Sequence, residues 1–224
     1  MSRRAELLLL LLLLVASSGC SPNIQDGVGP RVPIPNVDGS VLRSGAPAAG
    51  LKVALRDSSG VEVAGTVTTL SGYYGFGDVA LGTWEVKVSG VSAGDFDSVA
   101  RDFDLMDSTF SLRALDIHAY GAALLAPTDG ASQPVPSPVQ PVTFRWNLPS
   151  LPGVAARAQV LDSGGSAVWY SGALQTSEVG WNGLGNQGSY QGVVVPPGSY
   201  SWRVKFDLPD SSQAKTSTRR LVLM

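Results

Sequence analysis

Apolar residues are arranged along this chain in two ways. From Leu7 to Ala16 they are continuous, eight leucines followed by Val15 and Ala16. Beyond residue 36 they alternate with polar residues in short runs, broken by glycine, proline, aspartate, asparagine and serine. The first pattern is about ten residues long, the length of a signal-peptide core and roughly half of a membrane-spanning helix. The second has period two and no long stretch of period 3.6, which predicts strands and turns.

The alternation places the strands. Leu51, Val53 and Leu55 alternate with Lys52, Ala54 and Arg56; Asp57, Ser58, Ser59 and Gly60 then supply a turn, and Val61, Val63 and Gly65 begin a returning strand. Tyr74 and Phe76 share one face of the next strand, and Trp84, Val86 and Val88 share one face of the strand after it. Phe96, Val99, Phe103, Leu105, Phe110, Leu112, Leu115 and Ile117 predict two closing strands around an aspartate-rich turn.

Residues 122–127 read as the opening strand of a second sandwich, and the proline-rich residues 133–141 as a surface crossing. Phe144 and Trp146 share a face. Ala156, Ala158 and Val160, a turn at Asp162, Ser163, Gly164 and Gly165, and Val168, Trp169 and Tyr170 make a second hairpin. Leu221 and Leu223 close the sheet. The expected fold is all-β: two β-sandwich domains in tandem, residues 37–119 and 120–224, after a signal peptide (1–19) and a Pro/Gly-rich tether (20–36).

Composition narrows the function. Of 224 residues, about 205 remain after the signal, enough for two ordinary domains. Losing Arg3, Arg4 and Glu6 takes 16 cationic and 18 anionic side chains to 14 and 17, about −3, which offers no basic field to nucleic acid. Cys20 is the sole cysteine, so no disulfide forms within the chain.

Ser17, Ser18 and Gly19 before Cys20 resemble the end of a bacterial lipoprotein signal, although Ser17 stands where that family usually has leucine. The resemblance implies a lipidated Cys20, carrying diacylglyceryl and a further acyl chain such as palmitate, as the first residue of the mature protein. Ser21 after it, in place of aspartate, implies sorting to the outer membrane of a Gram-negative cell. Ser2, Arg3 and Arg4 also fit a twin-arginine opening, but so apolar a core favours export of the unfolded chain.

Residues 45–55 (GAPAAGLKVAL), the DSSG turn, residues 71–76 (SGYYGF) and residues 81–84 (LGTW) resemble the carboxypeptidase regulatory-like domain, a relative of collagen-binding B-type repeats and transthyretin-like sandwiches. That implies a seven-stranded Greek-key sandwich with a structural or binding role. Trp181, Asn182 and Gly183, the loop with Gly185 and Gly188, and residues 196–204 (PPGSYSWRV) are similar to immunoglobulin-like and fibronectin type III modules, with Asn182 where aspartate is usual.

Chemistry is sparse. His118 is the single histidine and lies in no nucleophile-elbow motif. Asp95, Asp97, Asp102, Asp104 and Asp107 lack the register of a calcium loop. We therefore expect no catalytic residue, no metal and no cofactor. Of the aromatics, Trp146, Trp169, Trp181 and Trp202 suit the core, while Tyr73 and Tyr190 are candidate ligand-binding residues.

The expectation is a non-enzymatic envelope lipoprotein, held to the membrane by its lipid and presenting two modules to a protein partner. Glycan binding by surface aromatics and service as an accessory to an envelope enzyme are the alternatives. Some B-type repeats form a lysine-to-asparagine crosslink. Here the opening strand offers Arg43 instead, and Ser89, Gly90 and Val91 replace the glutamate motif. Intact mass spectrometry should show no crosslink; loss of one ammonia or water would contradict this.

Overall fold

The computed structural model describes residues 35–90, 96–117 and 124–224. The signal, Cys20, Ser21 and His118 lie outside them. Among the described residues every regular element is a strand, apart from one 3-10 turn at Gly188–Tyr190. The first half holds β1 (Val37–Arg43), β2 (Ala46–Pro47), β3 (Lys52–Asp57), β4 (Glu62–Val67), β5 (Tyr73–Phe76), β6 (Gly82–Ser89), β7 (Ser98–Leu105), β8 (Phe110–Ser111) and β9 (Leu115–Asp116). The second holds β10 (Leu124–Ala126), β11 (Ala131–Gln133), β12 (Val142–Trp146), β13 (Ala155–Leu161), β14 (Ala167–Tyr170), β15 (Glu178–Trp181), β16 (Gly198–Asp207), β17 (Gln213–Lys215) and β18 (Arg219–Leu223).

Local chemistry closes the hairpins. At the β3–β4 turn, Asp57 Oδ1 accepts from the backbone N–H of Ser59 (2.9 Å) and Val61 (2.9 Å) and from the Ser59 hydroxyl (2.6 Å). The Ser59 hydroxyl, and after it the Val61 amide, hold the Asp57 carboxyl below its ordinary value. Asp162 repeats the device between β13 and β14, accepting from Gly164 and Ser166 N–H at 2.9 Å each. Two other turns require glycine. Gly72 has φ +74° and Gly183 has φ +85°, and in each a Cβ would lie 2.4 Å from a carbonyl oxygen, that of Val41 and that of Pro136.

The strands form three sheets. β1 pairs with β2 and β5 and, in parallel, with β8 and β9; β12 joins β10 to β15; the remaining ten strands make one sheet. Its order runs β18-β16-β17-β7-β6-β3-β4, with β13 on the other side of β16, so it passes through both halves.

Register fixes which face is packed. Val53, Val88, Val99, Ala214, Phe206 and Ala156 are successive partners across β3, β6, β7, β17, β16 and β13, and all six are fully buried. The two small sheets cover this face. Tyr74 and Phe76 pack on it in the first half, and in the second Phe144 on β12 meets Trp202 on β16, with ring centroids 5.0 Å apart. Trp146, Trp169, Trp181 and Trp202 are all core residues.

The seam between the halves is built of backbone and of one buried charge. β7 and β17 pair at three positions, and Asp97 N–H donates to the Lys215 carbonyl at 2.7 Å. Phe96 meets Phe206 at 5.2 Å. Arg101 occupies an inward position of β7 and is 9% exposed. It donates to the Arg113 carbonyl (2.6 Å) and to Asp210 Oδ2 (2.5 Å) in the β16–β17 turn. Arg113 lies between β8 and β9, where the chain is off the β1 ladder.

Burial works against the Asp210 carboxylate, but hydrogen bonds from Ser212 and the nearby Arg101 outweigh it and hold the group below its ordinary 3.8. A depressed folded pKa means stabilisation that is complete above the ordinary carboxylate value and is lost as pH falls through the folded one. Asp210→Ala should cost about 2 kcal/mol at neutral pH, somewhat less than a fully buried pair because Asp210 keeps part of its surface in water. In urea unfolding the gap between wild type and variant should narrow on acidification below 3.8; a gap that holds or widens would contradict it.

Candidate functional site

Tyr73 faces outward on β5, opposite the buried Tyr74 and Phe76, and is 39% exposed. Its hydroxyl donates to Asp38 Oδ2 at 3.4 Å on the paired β1, and Asp38 also accepts from the Ser111 hydroxyl. Partial burial and then the Asp38 charge raise the Tyr73 hydroxyl above its ordinary value. The ring therefore presents an apolar face to water while its polar tip is engaged.

Tyr190 is different. It ends the 3-10 turn, is half-buried and packs against the core. Gly185 lies directly beneath it, where a Cβ would come within 2.5 Å of the tyrosine Cβ. The loop around it is fastened by Asn186, whose Oδ1 accepts from Tyr170 N–H (2.9 Å) and whose Nδ2 donates to the Tyr170 carbonyl (2.8 Å). Trp181 Nε1 donates to the Leu184 carbonyl at 2.9 Å. Tyr73 and Tyr190 thus belong to different halves, and among the described residues no contact joins them.

Of the aspartates, Asp104 accepts from the Thr83 hydroxyl at 2.7 Å, and Asp95 lies outside the described residues. Among those residues no three histidine, cysteine or acidic side chains come together as metal ligands would. A cleft of about 320 Å³ opens at the seam beside Leu42, Arg113, Asp116, Leu151, Leu208 and Asp210. Its carboxylates are already engaged, Asp116 by the Gly45 amide at 3.1 Å and Asp210 by Arg101 and Ser212. It holds no nucleophile with a base to activate it.

The feature that alternation alone misses is the edge at β4. This strand ends the long sheet, and its outward ladder has no partner among the described strands. Val61, Val63 and Val67 are 58%, 50% and 57% exposed along or beside it. Its one charge, Glu62, is tied to Lys52 at 3.2 Å. Edge strands are commonly guarded by lysine, proline, a cover or a bulge; this one has no lysine or proline, and its guards are Glu62 and a register shift that leaves Val63 as the extra residue opposite Leu55 and Arg56. The valine spacing in the run VEVAGTV was the available signal.

No protein-family description and no curated protein matches the chain. Among solved structures it is similar to latent PorU from Porphyromonas gingivalis, with 14% identity over 79% of this chain and 16% of that one and a TM-score of 0.34. It thus spans about one sixth of PorU. BcpA, the major pilin subunit of Bacillus cereus, gives 12% identity, 84% and 69% coverage and a TM-score of 0.30. The fibronectin(III)-like modules of Clostridium thermocellum CbhA give 13%, 84% and 90%, with a TM-score of 0.30. The all-β class rests on the strands described above, and likenesses with TM-scores this low carry nothing about activity.

The two tyrosines should respond differently to truncation. Tyr190→Ala should lower stability by about 2 kcal/mol in urea unfolding, since it removes a half-buried ring from the core margin. Tyr73→Ala should cost less than about 1 kcal/mol, as an outward residue with one long hydrogen bond. A silent Tyr190→Ala would show its ring to be free surface.

Proposed function

We propose that this chain is a non-enzymatic lipoprotein of the cell envelope, anchored through lipid on Cys20 and presenting its joined β-sandwiches for protein binding or scaffolding. The observation that supports a protein partner is the β4 edge, unpaired among the described strands, with its exposed Val61, Val63 and Val67. The occupant we assign to it is an extended segment of a second envelope protein, added as a strand: main-chain hydrogen bonds would supply affinity and alternate side chains would seat against the valines.

The leader supports the location. Arg3 and Arg4, an apolar core too short to span, and Gly19-Cys20 are what lipid attachment needs, and Ser21 is the basis for assigning the outer membrane. The proline-rich tether lets the body stand off the bilayer. Glycan recognition is the second reading, favoured by the exposed Tyr73 ring.

Two measurements test this. Mass spectrometry of the mature N-terminus should find an acylated Cys20, and Cys20→Ala should move the protein out of the membrane fraction; an unmodified N-terminus with unchanged fractionation would overturn the anchor. A photo-crosslinker at Val63 in intact cells should give one defined protein adduct, lost in Val67→Lys, while the same probe at the exposed Leu125 gives none. Equal labelling from both positions would overturn the edge.

A further inference from the structure

The two small sheets cover one face of the ten-stranded sheet; the opposite face carries a cluster of cations about β17, with Glu62, Glu85, Asp102, Asp104 and Asp207 also on that side. One residue along from the buried row, Lys52, Ser89, Ser98, Lys215, Lys205 and Arg157 are successive partners across β3, β6, β7, β17, β16 and β13. Side chains alternate between faces, so these six share the side away from the core. Lys87 on β6 and Arg203 on β16 stand two residues from the row on the same side.

Some of this charge is answered. Arg157 pairs with Asp207 at 2.9 Å, Lys52 with Glu62 at 3.2 Å, and Glu85 with Arg56 at 3.8 Å. Arg203 donates only to the neutral Gln159, at 2.9 Å. Lys87, Lys205 and Lys215 have no acidic partner among the described residues. Burial, followed by Arg203 and Lys205 and with a further contribution from Lys87, pushes the Lys215 ammonium below its ordinary value against a smaller pull from Glu85. Four cations therefore crowd one surface of a chain whose net charge is −2.

The surface is shaped as well as charged. Ser98 and Ala100 on β7 face this side and are nonetheless buried. Lys87, Arg203, Lys205 and Lys215 are all half-buried. Lys205 and Lys215 sit on neighbouring strands about 4.8 Å apart, Arg203 shares β16 with Lys205, and Lys87 lies on β6 beyond β7, which adds no cation.

We propose that this face binds an acidic polysaccharide, whose carboxylates pair with Lys87, Arg203, Lys205 and Lys215 across the seam of the two halves. A patch of cations spread across β6, β7, β17 and β16 suits a chain of carboxylates better than a single small anion. The row holds no aromatic ring on which nucleobases could stack. Its cations lie along the sheet, whereas attraction to a charged bilayer relies on exposed polybasic segments. The inference is independent of the β4 edge.

The test is affinity electrophoresis of the full chain in nonionic detergent through gels containing polygalacturonate, with neutral dextran as comparison. Polygalacturonate should retard the protein and dextran should not, and added salt should weaken the effect. The double variant K205A/K215A should lose affinity at least tenfold, K205R/K215R should keep it, and Arg145→Ala, on the separate β12, should not change it. Truncating the lysines relieves like-charge repulsion, so the double variant should melt no lower than wild type. Unchanged retardation of the double variant, equal retardation by dextran, or tighter binding to phosphatidylglycerol vesicles or single-stranded DNA would each overturn the proposal.

Discussion

Pairing of β7 with β17 is the constraint on which the rest of the structure depends. Three residues of the second half complete a ladder begun in the first, and in doing so they join four strands of the first half to six of the second in one sheet. An unpaired β7 would expose main-chain groups beside Val99, a fully buried position. Once the ladder is closed, Phe96 and Phe206 meet across it and Arg101 reaches Asp210. Asp210 matters to the join because a guanidinium at an inward position of a strand is tolerated only with its charge answered.

The same join determines what the surface can do. It leaves β4 as an end of the sheet and puts lysines from β6, β16 and β17 on one continuous face. The second half supplies Arg203, Lys205 and Lys215, and the first adds Lys87 across β7, which contributes Ser98 and Ala100. The seam cleft, where a catalytic group would otherwise be sought, has its carboxylates committed to holding the turn and the join.

Features decided locally were legible in the sequence. Asp57 and Asp162 each precede a glycine by three residues, and each closes its hairpin with its own carboxylate. Period-two alternation found the inward faces of β5, β6, β12 and β13. It failed where the backbone is not a strand: Tyr190 belongs to a 3-10 turn, so its burial follows from Gly185 beneath it and not from its parity. Arg101 was illegible because its partner Asp210 is 109 residues away. The cationic row is scattered over positions 52, 157, 205 and 215 and is assembled by register alone.

Differential scanning calorimetry of the full chain tests the join most directly. A sheet shared by both halves predicts one unfolding transition whose calorimetric and van't Hoff enthalpies agree. Two resolved transitions, or a calorimetric enthalpy well above the van't Hoff value, would mean that the halves unfold separately and would contradict the account.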